Sequence, residues 1–352
     1  MSHQTEAAYR RALEWIHSIG RFGMKQGLQR IEALLSLLGD PHRRLKCIHI
    51  GGTNGKGSVA AMLAAVLQES GYRTALYTSP YISSFTNRMS IDGRDIDNAA
   101  LVALVERLRP FVDKISSDER LGPVTEFEAV TALAFTYFAR EQPDLVVLEV
   151  GLGGRFDATN VVTPLLSVIT NIGLDHTQVL GDTVAAVASE KAGIIKEAVP
   201  LLTGATKQEA RRVIAQTCRE RSSPLFYALL SGENTPPGVR SASSCRREIL
   251  PDGQSFDYSG FSRSHRDLFI PLRGLHQVGN AALVLAVLEL LAEQGYRFPE
   301  GELRRGLAKT TWPARLELLR REPLLILDGA HNPAAMKGLA ASLPEYFRYR
   351  HL

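Results

Sequence analysis

Apolar and polar positions alternate along this chain in two registers. Short apolar runs bounded by glycine or proline predict strands at Cys47–Ile50, Thr74–Thr78, Leu145–Val150, Leu166–Thr170, Pro200–Thr203 and Leu324–Leu327. Between them, helical spacing predicts helices over Ser58–Gln68, Ala99–Leu108, Glu126–Arg140, Thr183–Lys191 and Lys207–Glu220. This order is that of a parallel α/β fold. The run Leu145–Val150 is apolar except for Glu149, as expected of a strand covered on both faces. Right-handed crossovers would bring the strand ends to one edge, where ligands normally sit.

The pattern changes over Ser222–Arg273, which is rich in Ser, Pro, Gly and Arg, with β-like pieces at Ser255–Tyr258 and Leu268–Leu272. It reads as a small antiparallel meander or an extended loop region. A helix over Val278–Ala292 follows, then a linker-like stretch at Thr310–Pro313. Leu324–Asp328 opens a new α/β unit that the remaining residues are too few to complete as an independent domain. The expected organisation is therefore a large unit over 1–309 and the start of a second over 310–352, with no internal repeat.

Composition adds limits. With 352 residues, 45% hydrophobic and 22% charged, the chain can bury a substantial core. A formal charge of +4 suits small anionic substrates and does not point to nucleic acid. No run approaches the roughly 18 uninterrupted apolar residues of a membrane helix. Met1–Trp15 lacks a signal-peptide core. Three cysteines, Cys47, Cys218 and Cys245, share no metal-ligand spacing and read as reduced thiols. These features predict a cytoplasmic protein without nucleic acid or membrane partners; a monomer is the expectation.

The strongest chemical signal is the string Gly51 to Ser58 (GGTNGKGS), placed between a strand and a helix. Glycine-exposed N–H groups and a helix N-terminus make a phosphate cradle there. Lys56 can reach terminal phosphates and a nearby hydroxyl can sit on a metal ion. The general pattern G-x-x-x-x-G-K-[ST] is nevertheless missed by one residue at each anchor: Ile50 and Gly57 stand where Gly and Ser/Thr belong.

Polar residues recur at other strand ends. Glu149 closes a buried strand, where a carboxylate needs a hydrogen-bond partner or a cation. Asp175 and His176 follow another strand, although imidazole is an uncommon magnesium ligand. Lys191, near a helix C-terminus, is most simply a charge complementing the helix dipole. Ser79 is a capping serine or a hydroxyl reaching the phosphate edge. Thr125 and Glu128 form a capping box, and Phe127 is a core residue or a stacking platform. Asn280, Arg315 and Asp328 stand in polar strings towards the C-terminus, Arg315 being suited to bidentate phosphate contact.

In order, the strings GTNGKGS, YTSPYISSFTNR, TEFE, EVGLGGRFDATN, TNIGLDH, SEKAGIIK, LHQVGNAA, WPARLE and LDGAHNP resemble the folylpolyglutamate synthase and dihydrofolate synthase family of the Mur ligase superfamily, over about residues 20 to 340. The resemblance implies ATP-dependent ligation of L-glutamate to the γ-carboxylate of folates, and to dihydropteroate, through an acyl phosphate. It implies that Gly52, Thr53, Asn54, Gly55, Lys56, Gly57 and Ser58 hold the ATP phosphates, with Asn280, Arg315 and Asp328 across a cleft. Two magnesium ions are implied: one on Ser79 and Glu149, a second among Glu149, His176 and a carbamylated Lys191. Catalysis would then rest on Lys56, Lys191 and His176. Gly27, Leu28, Gln29, Arg30, then Thr125, Glu126, Phe127, Glu128, and Phe156, Asp157, Ala158 match pterin-binding segments.

The family carries a complete Rossmann-like C-terminal domain. This chain is expected to hold only its first strand and helix, with an exposed apolar surface and a final Tyr349–Leu352 unlike a family terminus. The alternatives are a nucleotide-binding pseudoenzyme lacking that domain, another Mur-type amide ligase, and a P-loop kinase.

Overall fold

The computed structural model describes residues 3–20 and 27–349. The start of the family resemblance near residue 20 and the last three residues of the Tyr349–Leu352 tail fall in part outside them. The chain begins with helices α1 (His3–Ser18) and α2 (Gln29–Leu37), then β1 (Cys47–Gly51), α3 (Lys56–Glu69) and β2 (Thr74–Tyr77). A hairpin of β3 (Met89–Ile91) and β4 (Arg94–Asp95) leads to α4 (Asn98–Ser116), α5 (Glu126–Glu141), β5 (Leu145–Glu149) and β6 (Leu166–Ile169). Next come α6 (Thr177–Leu180), α7 (Val184–Ala192), β7 (Leu201–Thr203), α8 (Gln208–Glu220) and β8 (Leu225–Leu230). Strands β9 (Ser241–Leu250), β10 (Gly253–Ser259) and β11 (Ser264–Ile270) precede α9 (Leu275–Glu293) and α10 (Glu300–Ala308). The chain ends with β12 (Glu317–Arg320), β13 (Leu325–Leu327) and α11 (Pro333–Tyr346).

One eleven-stranded sheet, in the order β11-β10-β9-β8-β7-β6-β1-β5-β2-β3-β4, organises the larger part. From β9 through β8, β7, β6, β1 and β5 to β2 all neighbours are parallel. The period of two decides which face each side chain covers. Ile48, Ile50, Leu145 and Val147 pack with α3, α9 and α10 on one face. Cys47, Val146 and Leu148 pack with α1, α2, α4 and α5 on the other. Helix α9 is apolar all round because it is a core helix, buried against α3, β8 and β9.

The expected strands are present to within a residue or so at their ends. The capping box also forms: Thr125 Oγ1 accepts the Glu128 N–H at 3.2 Å, and Glu128 Oε2 accepts the Thr125 N–H at 2.8 Å. The region 222–273 holds the antiparallel meander read from the sequence, but as part of the main sheet and behind one more strand. Leu225–Leu230 is a further parallel strand, and β9, β10 and β11 are an antiparallel meander that continues the main sheet. Its alternation is hard to see because the outer strands expose many polar positions. Helix α4 runs through Pro110 to Ser116, held by buried Val112 and Ile115. Beyond α10, β12 and β13 form their own two-stranded antiparallel sheet, where a single strand was expected, and Leu319, Leu325 and Leu327 are exposed on it.

Candidate active site

The C-terminal ends of β1, β2, β5 and β6 meet the segment 310–342 across a cleft of about 480 Å³. Its wall includes Gly52 to Ser58, Ser79, Glu149, His176, Lys191, Asn280, Arg315 and Asp328. The residues assigned above to ATP and magnesium are thus brought together from the ends of β1, β2, β5, β6 and β13, the turn before β12, and helices α3, α7 and α9. None of the eleven assigned to the pterin lines this cleft.

The loop between β1 and α3 is pinned from the end of β6. Asn171 O accepts the Thr53 N–H at 2.9 Å, Asn171 Oδ1 accepts the Asn54 N–H at 3.0 Å, and Thr170 Oγ1 donates to Asn54 O at 2.6 Å. Gly55 is the N-cap of α3 at φ +85, a left-handed conformation, and a Cβ there would lie 2.5 Å from Asn280 Oδ1. Glycine is therefore required twice over at this position. From α9, Gln277 Nε2 donates to the buried Ser58 Oγ at 3.3 Å, and Asn280 Nδ2 donates to Gln277 Oε1 at 2.9 Å.

Two lysines converge on one backbone oxygen. Gly52 O accepts from Lys56 Nζ at 3.1 Å and from Lys191 Nζ at 2.9 Å. Lys191 sits in the last turn of α7, as a dipole-complementing charge would, but it is buried and points into the cleft wall. Burial, reinforced by the Lys56 charge, pulls its pKa down to about 7. Glu149 is buried at the end of β5 and accepts the Ser79 N–H at 3.1 Å. Burial raises its carboxyl above the ordinary range, opposed by the Lys56 charge, that N–H and Arg315. His176 adopts φ 47 at the start of α6 and its side chain is half exposed.

The far wall comes from the last part of the chain. Ala314 and Leu316 both have positive φ, at 55 and 48, so Arg315 is presented from a strained turn. Asp328 holds that turn, accepting the Leu316 N–H at 2.7 Å and the Ala330 N–H at 2.8 Å. Asn332 caps α11 and crosses to the phosphate-type loop. It exchanges hydrogen bonds with the Asn54 side chain at 3.2 and 3.0 Å and donates to Asp175 Oδ2 at 3.2 Å. Asn332, Asn171 and Gln277 had no assigned role in the sequence. Only the position of Asn332 immediately before Pro333 marks it locally, as a helix cap.

The segments matched to pterin binding lie behind and beside this cleft. Arg30 and Glu128 are buried and paired with each other, Arg30 Nε lying 3.1 Å from both carboxylate oxygens. Gly27 is buried, Leu28 half-buried and Gln29 exposed on the same turn. Thr125 caps α5, and Glu126 is 3.5 Å from His17 Nδ1. Phe127 is half-buried against Gly151, a residue of the cleft wall. Asp157 is buried and accepts the Leu152 and Thr159 N–H groups at 2.8 and 3.0 Å; Ala158 is buried too, whereas Phe156 is 46% exposed.

Residues 50–288 match the family model of the Mur ligase middle domain. The dihydrofolate synthase/folylpolyglutamate synthase of Bacillus subtilis is 42% identical over 342 residues, covering 97% of this chain and 77% of that protein. A solved FPGS–AMPPCP–folate complex superposes with a TM-score of 0.89 at 38% identity, covering 97% of this chain and 81% of its own. The Mycobacterium tuberculosis folylpolyglutamate synthase, solved with ADP and AMPPCP, gives 0.87 at 35% identity, over 98% of this chain and 75% of its own. With its mostly parallel sheet and its phosphate-type loop facing Arg315, the chain belongs to the folylpolyglutamate synthase/dihydrofolate synthase family of ATP-dependent Mur ligases.

Proposed function

We propose that this chain attaches L-glutamate to the γ-carboxylate of folates, and to dihydropteroate, at the expense of ATP. The observation that carries the reading is the single cleft with a phosphate-type loop on one wall, Arg315 and Asp328 on the other, and a buried carboxylate and amine between. A γ-carboxylate oxygen attacks the γ-phosphorus and ADP leaves. The amine of glutamate then attacks the acyl carbon, loses a proton, and phosphate leaves.

The N–H groups from Gly52 to Ser58 and the start of α3 bind the phosphates, and Lys56 exchanges its contact with Gly52 O for phosphate oxygen. Arg315 closes on the same phosphates, while Asn280 reads an amide-like edge of the nucleotide. We take 310–352 as the start of a second domain after 1–309; its residues Arg315 to Ser342 form one wall of the cleft and would help keep water from the acyl phosphate, which would otherwise hydrolyse.

Magnesium fits the donors present. Glu149 is a buried carboxylate whose hydrogen-bond donor among the described residues is the Ser79 N–H, and both residues line the cleft. No three His, Cys, Asp or Glu side chains among the described residues form a metal cluster, so most ligands of a bound ion would be water and phosphate oxygens. Ser79 and Glu149 would hold one ion, and Glu149, His176 and a carbamylated Lys191 a second. When bound, magnesium supplies charge neutralisation across the phosphate oxygens. A lysine pKa of about 7 supports the carbamate, since the neutral amine is the form that adds to carbon dioxide, with loss of a proton. Of the pterin segments, Phe156 and Phe127 offer stacking surface, while Arg30, Glu128, Asp157 and Ala158 shape the wall behind them. We further propose a cytoplasmic monomer acting on small molecules alone.

The test is phosphate release with ATP, L-glutamate and either tetrahydrofolate or dihydropteroate, with mass spectrometry of the product. Glutamate-dependent release and a product heavier by one glutamyl residue are expected. Nucleotide binding without release from either substrate, or a phosphorylated product without an amide, would overturn the reading.

A further inference from the structure

Gly57 departs from the general phosphate-loop pattern, and the structure gives a reason outside the loop. A Cβ on Gly57 would lie 2.9 Å from both Cζ2 and Nε1 of Trp312. The indole thus occupies the volume that a serine or threonine side chain would need. It lies against the first turn of α3, between Lys56 and Ser58, and does not line the cleft. Its N–H is buried without a hydrogen-bond partner among the described residues, so packing alone holds the ring there.

The tether of Trp312 is short and anchored. Gly306 of α10 packs directly on the α3 backbone, where a Cβ would lie 2.5 Å from Val66 Cα. Thr310 Oγ1 then donates back to Gly306 O at 3.0 Å. Trp312 follows, and the strained turn bearing Arg315 begins two residues later, at Ala314.

We infer that Trp312 is a positioning residue that sets the first turn of α3 and the Arg315 turn in register, so that the two walls of the nucleotide site form together. The inference rests on the reading of the cleft as an ATP site. A ring seated on Gly57 fixes the direction of the Lys56 and Ser58 N–H groups. Through three residues of chain it also fixes where Arg315 enters. The displaced serine of the loop is the counterpart of this wedge: Gly57 makes room for the ring, and the hydroxyl moves on to Ser58.

The test uses the full chain and AMPPCP as the probe. The sequence holds two tryptophans. Trp15 belongs to α1 on the opposite face of the sheet, beneath Arg109 of α4, so Trp15→Phe leaves Trp312 as the sole indole reporter. Trp312 emission should shift on titration with AMPPCP, with the midpoint that calorimetry gives. A double-mutant cycle on the AMPPCP dissociation constant then pairs Gly57→Ala with Trp312→Leu. Each single change should weaken binding by about ten-fold, and the double should be at least about five-fold tighter than the product of the two, because a Cβ fits once the ring is gone. Trp312→Phe should restore binding to within about two-fold. Thermal melts identify any variant that fails to fold, for which the emission titration decides alone. Independent, multiplicative effects, or an unmoved emission while calorimetry reports binding, overturn the inference. Absence of calorimetric binding by the unaltered chain overturns the ATP reading itself, and this inference with it.

Discussion

Replacing Arg30 with methionine separates a structural from a substrate-binding role for the segment matched to pterin recognition. Arg30 and Glu128 are 7% and 5% exposed, and the guanidinium meets the carboxylate through Nε at 3.1 Å to both oxygens and through an Nη at 3.1 Å to one. Arg30 also reaches Leu121 O at 3.5 Å, tying α2 to the loop before α5. Arg30→Met keeps most of the volume and leaves Glu128 a buried anion with only its Thr125 contacts. Breaking a buried pair from one side costs about 3–5 kcal/mol. At roughly 2 °C per kcal/mol for a chain of this size, the melting temperature should fall by about 6–10 °C. The assay is a pair of measurements: thermal melts at a fixed scan rate, and folate binding well below the variant's transition. Binding should hold to within about three-fold, because both groups are buried and paired with each other behind the stacking surface. A melt within about 2 °C of the parent, together with a loss of folate affinity of ten-fold or more, would refute the ion-pair argument and make Arg30 a substrate contact.

Three further outcomes follow from the same geometry. Lys56→Ala should lose ATP-dependent phosphate release by about a hundred-fold or more, measured at saturating folate; turnover near that of the parent would remove Lys56 from the phosphate site. If Lys191 is carbamylated as proposed, Lys191→Ala and Lys191→Arg should be equally inactive, because neither can carry that negative charge, and short carboxylic acids should partly restore the alanine variant; an active arginine variant would show that no anion is needed. His49 is fully buried in β1, its Nε2 2.8 Å from Thr159 Oγ1, and burial pulls its pKa from 6.5 down to about 3. The unfolded chain therefore takes up a proton below pH 6.5 that the fold excludes, so stability falls as the pH drops through that window. From pH 7 to pH 5 the loss should be about 2 kcal/mol, which His49→Gln removes; equal slopes in urea unfolding of the two proteins would contradict it.

The parallel sheet was legible because its strands are continuous apolar runs, and a run such as Leu145–Val150 carries its own evidence. The outer strands were harder. Much of β9 and β11 faces solvent, so the alternation there is diluted by Ser and Arg, and β8 was hidden in a polar region although it is parallel and mostly buried. Residues at a strand end or in a glycine loop could be brought to one edge from local pattern alone. Contacts made across the cleft could not. Asn332 meets Asn54 and Asp175 only because α11 folds back over the loop, and Gln277 meets Ser58 only because α9 crosses α3. Arg30 and Glu128 each sit in a string that resembles a binding segment, and their pairing with each other is a long-range contact that neither string shows.

The displaced phosphate-loop pattern joins these two lessons. A loop string is judged against a general pattern on the assumption that its requirements are internal: a glycine for the turn, a hydroxyl after the lysine. Here two of the glycines are set from outside the loop, Gly55 by the Asn280 side chain and Gly57 by the Trp312 ring. Both partners come from segments that reach the loop through the packing of α9 and α10 on α3. The mismatch to the general pattern is therefore a record of tertiary neighbours. It follows that Gly57 and Trp312 constrain each other: a side chain at 57 requires a smaller residue at 312, and a tryptophan at 312 requires glycine at 57.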